Sequence, residues 1–168
     1  MLPEDSFIGR MHQWTDGLPE TLQWLGIIAI SAIPSVESFF GALIGVVIGM
    51  PLWVALVAAI IGNMLSLTLV IYGAQWIRST VLKRKKAQEL SETQYRRRAK
   101  AKRLFDKFGI PGVSLLGPLA LPSQFTAPLM VSFGANRTLV MAWMFVSVTV
   151  WGAGFALLGV GLLDLIST

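Results

Sequence analysis

A single glutamate is the most distinctive ionisable residue of the chain. Glu37 is the only acid or base, apart from Tyr72, in the 56 residues from Leu22 to Ile77. A carboxyl group within so much apolar chain must line a cavity, find a partner or take up a proton. We therefore predict a transport protein with a proton or another cation as its coupling ion. Alternatively, Glu37 caps a helix N-terminus, where a negative charge is favourable.

Polar residues near Glu37, and a similar group later in the chain, extend the candidate site. A proline precedes Glu37 and removes a backbone donor from the chain. The second group also follows a proline in an apolar stretch, and its side chains would either line the site or satisfy the backbone of a turn. We predict a substrate or proton site formed by Glu37, Pro34, Ser35, Ser38, Asn63, Pro122, Ser123, Gln124, Thr126 and Trp151.

Soluble-type enzyme chemistry is not expected. The chain has no cysteine and a single histidine, His12. This composition excludes disulfides, thiolate catalysis and cysteine metal sites. The sequence also has no cluster of metal ligands, no glycine-rich phosphate loop and no set of Ser, His and Asp residues for nucleophilic catalysis. We predict that the protein is not an enzyme and uses neither a metal nor another cofactor.

The composition is that of an all-α integral membrane protein. Hydrophobic residues make up 54% of the chain and charged residues only 14%, against about 25% charged residues in soluble domains. From Phe108 to Leu163 the only charge is Arg137. Both apolar stretches far exceed the ~20 residues that cross a membrane. Residues 1–21 are polar and form either a short interfacial helix or a frayed terminus.

A proline interrupts the first apolar stretch. Pro34 divides residues 22–50 into two segments, each too short to cross the hydrocarbon core. We predict that residues 22–50 form a re-entrant helical hairpin, here called the first hairpin; a single kinked span is the alternative. Residues 52–77 are uninterrupted and are expected to form a full transmembrane helix.

The second half of the chain repeats this plan. Residues 108–136, the second hairpin, are broken by prolines, and residues 138–163 form a second uninterrupted span. Aligning Pro34 with Pro122 also aligns two serines, and Gly49 then falls three residues out of step with Gly134. The prolines of the second break are Pro118, Pro122 and Pro128. Because each unit crosses the membrane once, we predict two inverted repeats, an architecture of transporters.

Basic residues are concentrated between the two repeats. The net charge is +5, and 12 of the 14 Lys and Arg residues lie in residues 78–107. The positive-inside rule places this basic segment in the cytoplasm, as an amphipathic helix on anionic lipid or as a solvated loop. Nucleic-acid binding is not expected. Arg96, Arg97, Arg98 and Arg137 are candidates for contact with lipid headgroups, although an interfacial anchor is the favoured interpretation of Arg137.

Small residues at a spacing of four predict close helix packing. Such faces let helix backbones approach each other in lipid. The two faces are Gly41, Gly45 and Gly49, then Ala58, Gly62 and Ser66. With so few helices in one copy, we also expect a homo-oligomer.

The chain resembles a known family of bacterial membrane proteins. Three stretches are similar to the small multidrug export protein family: IPSVESFFGALIG, GMPLWVALVAAIIGN and, later in the chain, KFGIPGVSLLGPLALPSQFTAPLMVSFGANR. That family is related to the DedA (VTT, SNARE-associated) superfamily. The resemblance covers roughly residues 30–160. It implies two opposed re-entrant hairpins in the bacterial inner membrane. Glu37 matches the acidic position of the first hairpin, but Phe125 stands where DedA proteins have an arginine.

The resemblance and the isolated acid together lead to one functional hypothesis with two alternatives. We predict a small DedA-like transporter, proton-coupled through Glu37, that moves a lipid or an amphipathic small molecule. Its partners would be membrane lipids, the coupling ion and a second copy of the chain. The first alternative is an exporter of drugs or lipophilic cations. The second is a membrane scaffold or assembly factor that docks through the basic segment.

Overall fold

The structure is a computed structural model that describes residues 6–81, 92–119 and 121–167. It describes no side chain for residues 74–81, 92–98, 100, 101, 119, 166 and 167. Every regular element within the described ranges is helical. The α-helices are α1 Phe7–Asp16, α2 Gln23–Ser31, α3 Glu37–Val47, α4 Leu52–Val81, α5 Glu92–Leu116, α6 Ser123–Ser132 and α7 Arg137–Ser167. Short 3₁₀ turns at Glu20–Leu22 and Gly117–Leu119 precede α2 and α6.

Two helices are long and apolar enough to cross a membrane. They are the Leu52–Gly73 part of α4 and the Arg137–Leu165 part of α7. At 1.5 Å per residue these parts are about 33 and 43 Å long, and the hydrocarbon core of a membrane is about 30 Å thick. Large apolar side chains point outward from both helices; Leu69 is 73% exposed and Leu157 63% exposed. The buried positions of the two helices include small and polar residues such as Ala59, Asn63 and Ser147, as expected at helix contacts in lipid. The part of the chain that the structure describes is therefore all-helical, with two candidate membrane-spanning helices.

The chain divides into two compact units. The first unit contains Met1–Ser66 and Phe145–Thr168, and the second contains Leu67–Met144. The long helices α4 and α7 each contribute one part to each unit. The first unit contains the first hairpin, and the second unit contains the second hairpin.

Glycines hold the first hairpin closely against α4. An added Cβ on Gly45 would lie 2.6 Å from the Cβ of Ala55, and one on Gly41 would meet Ser31 and Ala59. These close approaches confirm the predicted packing role of Gly41 and Gly45. Gly62 of α4 packs in the same way against the backbone carbonyl of Ile28 in α2.

The expected packing role of Gly49 is wrong. No atom lies within 4 Å of a Cβ built on Gly49, and its φ of +91° is in the left-handed region. Its N–H donates to the carbonyl of Val46, and the N–H of Met50 donates to the carbonyl of Gly45, both at 3.0 Å. This pair of bonds is a Schellman motif, in which a left-handed glycine satisfies the last carbonyls of a helix. Gly49 therefore ends α3.

Gly134 ends α6 in the same way. Its φ of +98° is in the left-handed region. The N–H of Gly134 donates to the carbonyl of Val131, and the N–H of Ala135 donates to the carbonyl of Met130, both at 3.1 Å. In each half of the chain the next long helix then begins three residues after the glycine. The offset glycines that the sequence alignment paired thus share one structural role.

The second hairpin begins at a kink within a helix. α5 runs through the expected boundary at residue 108, and Gly109 (φ +64°, ψ −170°) interrupts its helical geometry. Pro111 lies two residues later, in the first turn of the new helical segment, where a missing N–H is tolerated. The expected break at Pro128 is wrong, because Pro128 lies inside α6. The chain breaks instead between the end of α5 at Leu116 and the start of α6.

The terminal and basic segments are partly described. The N-terminal segment forms α1, whose first turn is capped by Ser6 Oγ accepting from Gly9 N at 2.9 Å, and which ends at Gly17. In the basic segment, residues 82–91 lie outside the described residues. Arg96, Arg97 and Arg98 lie on α5, but their side chains are also outside the description, so the prediction of headgroup contacts there stays a prediction.

Candidate functional site

The tip of the first hairpin is a tight turn with an unusual backbone. The N–H groups of Val36 and Glu37 both donate to the carbonyl of Ile33, at 3.1 and 3.3 Å. Pro34 occupies the second position of this turn, and Ser35 at the third position has a φ of +80°. A proline followed by a residue with positive φ is the pattern of a type II turn, which normally has glycine at the third position.

Two residues of the tip have strained conformations. Ser35 and Glu37 (φ +53°) are the non-glycine residues with positive φ in the part of the chain that the structure describes. Each such conformation costs on the order of 1–3 kcal/mol and persists only where the surroundings impose it. Strain of this kind clusters at functional sites. The tip that carries the isolated glutamate is therefore the first place to look for function.

Glu37 and Ser38 are buried at the beginning of α3. Glu37 is 2% exposed and Ser38 1% exposed, while Pro34 and Ser35 are on the surface of the protein. As the first residue of α3, Glu37 lies where the helix dipole favours a negative charge. The two predicted roles of Glu37, helix capping and chemistry, are therefore compatible.

Ser38 ties the hairpin tip to α7. Its Oγ donates to the carbonyl of Val148 at 2.8 Å. One turn further along α7, a Cβ on Gly152 would lie 3.4 Å from both Cβ and Oγ of Ser38 and 3.0 Å from Leu56 Cδ1 of α4. The absence of a side chain at Gly152 thus lets α3, α4 and α7 approach one another beside Glu37.

The helix register brings Asn63 to the level of Glu37. α3 and α4 run antiparallel, with Gly45 beside Ala55 and Gly41 beside Ala59. One further turn on each helix, four residues along, leads to Glu37 on α3 and Asn63 on α4. Asn63 is completely buried. The two most polar buried side chains of the first hairpin and α4 therefore lie at the same height.

An aromatic cluster that was not predicted includes the two residues that follow Ser38. The ring centroids of Phe39 and Phe155 are 5.2 Å apart, those of Phe40 and Phe155 5.6 Å, and those of Trp151 and Phe155 6.4 Å. The cluster joins the residues that directly follow Ser38 to the face of α7 that includes the predicted Trp151. The signal in the sequence was the Phe39-Phe40 pair after Ser38 and the phenylalanine four residues after Trp151.

The polar residues of the second hairpin form a separate group in the second unit. Ser123, Gln124 and Thr126 are buried at the start of α6, directly after Pro122. Ser123 Oγ lies 3.4 Å from Gln124 Oε1, and Thr126 Oγ1 donates to the carbonyl of Pro122 at 2.9 Å. The Thr126 hydroxyl thus satisfies backbone of the turn, which is the structural alternative considered for these residues.

Arg137 lies at the exit of the second hairpin. It is the first residue of α7 and is partly buried. Asn136 caps the helix, because its Oδ1 accepts from the N–H of Leu139 at 3.2 Å. This position fits an interfacial anchor as well as a headgroup contact, so both predictions for Arg137 remain open.

The first unit combines a buried carboxyl with aromatic faces. Aromatic rings attract cations through their electron-rich faces, and more strongly when water is excluded. A buried carboxyl can hold a proton or balance the charge of a bound cation. Among the described residues there is no group of three His, Asp or Glu side chains that could hold a metal ion. The arrangement is suited to a proton or to an organic cation.

Comparison with known proteins identifies the family. No curated protein and no solved structure matches the chain. A family profile described as "Putative small multi-drug export protein" matches residues 37–153. This match begins at Glu37, contains Asn63 and the second hairpin, and extends past Trp151. Because it covers more than half of the sequence, the chain belongs to this family of small multi-drug export proteins.

Proposed function

We propose that this protein exports amphipathic organic cations across the bacterial inner membrane in exchange for protons. The observation that carries the proposal is the buried carboxyl of Glu37 at a strained hairpin tip, on the same helix as Phe39 and Phe40 of the aromatic cluster. The description of the family, multi-drug export, agrees with this chemistry.

In this mechanism one carboxyl group binds either of two charges. The carboxylate of Glu37 balances the charge of the organic cation, and the aromatic rings contact its apolar surface. A proton arriving at Glu37 neutralises the carboxylate and releases the cation. Because proton and cation compete for one group, inward proton flow drives the cation outward.

Lipid translocation of the DedA kind is less well supported. A phosphate headgroup requires a positive partner, yet residues 22–50 and 108–136 contain no Lys or Arg. Phe125 occupies the position of the DedA arginine and is 60% exposed. The relationship to the DedA superfamily therefore remains part of the proposal, and the negative charge of the first hairpin favours cations as substrate. The scaffold alternative has no observation in its favour among the described residues.

The proposed architecture is a pair of inverted repeats with re-entrant hairpins. α2 has 9 residues and α3 has 11, so each reaches about half of the ~30 Å hydrocarbon core. The matching Schellman motifs at Gly49 and Gly134 support a common origin of the two halves. With the basic segment in the cytoplasm, the N-terminus and the end of α7 lie on the outer side.

Transport by purified protein in liposomes tests the proposal. Ethidium, an aromatic cation, is loaded on the side that carries the basic segment, and a proton gradient is applied across the membrane. We expect gradient-driven ethidium movement that Glu37→Gln reduces at least tenfold. Glu20→Gln is the matched control, because Glu20 is exposed and precedes the hairpin. The aromatic contribution is tested by Phe155→Ala against Phe145→Ala, since both lie on α7 but Phe145 is 51% exposed.

Each alternative predicts a different result in the same liposomes. Ethidium transport that is unchanged in Glu37→Gln would refute the role of that residue. Movement of a fluorescent phospholipid without movement of ethidium would replace cation export by lipid translocation. Movement of neither compound by a protein that is well folded would favour the scaffold hypothesis.

A further inference from the structure

The second unit contains an apolar cavity that the proposed cation site does not use. Its volume is about 170 Å³, and it lies between α5 and α6. Its walls are almost entirely apolar and include Phe105, Phe108, Val113, Leu129, Met130 and Phe133. An apolar cavity of roughly 150 Å³ excludes water and accepts a small hydrocarbon such as benzene. This cavity is therefore suited to a segment of a hydrocarbon chain.

The cavity spans the junction between a charged and an apolar part of α5. Phe105 and Phe108 precede the kink at Gly109, and Val113 follows it. The residues before the kink include several lysines and arginines, whereas those from Ile110 to Leu116 carry no charge. Such a junction is where a helix passes from the headgroup region into the hydrocarbon of a membrane.

A positive charge lies next to one wall of the cavity. The Nζ of Lys107 is 5.2 Å from the ring centroid of Phe108. The nearby Lys102 forms a salt bridge instead, because its Nζ lies 2.9 Å from Oδ1 of Asp106 on the same helix. Lys107 and Arg103 are both exposed, so both are accessible to an anionic group at the surface. Through this contact with Phe108, Lys107 lies next to a residue that lines the cavity.

We propose that the cavity binds one acyl chain of an anionic phospholipid, whose phosphate is held by Lys107. The apolar lining selects a hydrocarbon chain, and the adjacent ammonium group selects a negative headgroup. An organic cation is disfavoured here, since Lys107 would repel it. The surrounding membrane supplies the lipid, so the site is filled whenever the protein is in a bilayer. This lipid site belongs to the second unit and is independent of the proposed role of Glu37.

Cross-linking and binding measurements on the full-length protein test this site. The first probe is phosphatidylglycerol with a photoactivatable group on one acyl chain, and the cross-linked residues are located by peptide mass spectrometry. The second measurement compares retention of phosphatidylglycerol and phosphatidylcholine with identical acyl chains by native mass spectrometry. We expect cross-links at α5 and α6 around the cavity and about fivefold stronger retention of phosphatidylglycerol, the factor typical of one basic residue at an anionic surface.

Two pairs of variants separate the cavity from general lipid contact. Val113→Phe fills the cavity and is expected to reduce retention of both lipids at least fivefold, whereas Ile110→Phe, outside the lining, should not. Lys107→Gln is expected to abolish the headgroup preference, while Arg103→Gln removes the same charge and should preserve most of it. Helicity and elution volume establish that each variant is folded.

Several results would overturn the proposal. Equal retention of the two lipids by the unaltered protein would exclude the headgroup site, and equal behaviour of Val113→Phe and Ile110→Phe would exclude the cavity. Should Val113→Phe not fold, cross-links of the unaltered protein decide the question, because their absence from α5 and α6 would exclude an acyl chain there. Ethidium transport is measured in parallel and is independent of these outcomes.

Discussion

Replacing Gly62 with alanine should destabilise the protein by disturbing the contact between α2 and α4. A Cβ at this position would collide with the carbonyl oxygen of Ile28 and would lie 2.9 Å from its carbonyl carbon and 3.0 Å from its Cα. Because these atoms belong to the backbone, a rotamer change cannot relieve the clash. α2 and α4 must instead separate.

The expected magnitude follows from the distances. Restoring ordinary contacts of about 3.5–4.0 Å requires a separation of about 1 Å or more, because the carbonyl oxygen lies closer than the two carbons. A gap of that size forfeits about half of the dispersion energy along the contact. Overpacking of this kind typically costs about 1–3 kcal/mol, and alanine returns up to about 1 kcal/mol through its better helix propensity. We therefore expect Gly62→Ala to lower the free energy of unfolding by about 1–2 kcal/mol.

The measurement is unfolding by SDS titration in mild detergent, followed by circular dichroism. The control is Gly154→Ala on α7, because no atom lies within 4 Å of a Cβ built on Gly154. This control should be neutral or stabilising by up to about 1 kcal/mol. Equal stability of the two variants would show that α2 does not approach α4 as closely as described.

Two further predictions concern the first hairpin. The chain has no cysteine, so single cysteines placed at Thr21 and at Met50, one at each end of the hairpin, can be labelled with a membrane-impermeant maleimide. A re-entrant hairpin predicts that both positions are labelled from the same side of the membrane. A kinked span predicts that they are labelled from opposite sides. Ser38→Ala removes the hydrogen bond to the Val148 carbonyl and should lower the free energy of unfolding by about 0.6–1 kcal/mol, the range for such bonds between membrane helices. The same SDS titration measures this change, with Ser132→Ala as the control because Ser132 is exposed. An unchanged midpoint for Ser38→Ala would show that the bond contributes nothing.

The two long helices could be predicted from the sequence because their signal is simple. A run of more than twenty apolar residues without Pro or charge has few alternatives to a membrane-spanning helix. The breaks were harder to place. Pro34 and Pro122 lie at breaks, but Pro128 continues a helix and Gly109 kinks one. The effect of each proline or glycine depends on neighbours that satisfy or crowd the local backbone, and the sequence does not specify these neighbours.

The same limit applies to the glycines and to the candidate site. Gly41, Gly45 and Gly49 have identical spacing, yet two pack against neighbouring residues and the third ends a helix. Glu37 could be singled out because an acid is rare in an apolar stretch. Phe155 could not, because the chain has nine phenylalanines, and only the packing of α3 against α7 shows which of them contact one another. The cavity in the second unit was equally unpredictable, since it depends on the kink in α5.

The strain at the hairpin tip and the close packing around it have a common consequence. The left-handed conformations of Ser35 and Glu37 cost on the order of 1–3 kcal/mol each, and an isolated tip would relax. The Ser38 bond to α7 and the close approach at Gly152 oppose that relaxation. The backbone that presents the Glu37 carboxyl is thus held by α7 as well as by its own hairpin. A shift of α7 would break the bond from Ser38 to the Val148 carbonyl. Occupancy of the carboxyl and the position of α7 are therefore expected to be coupled, as the proposed exchange of a proton for a cation requires.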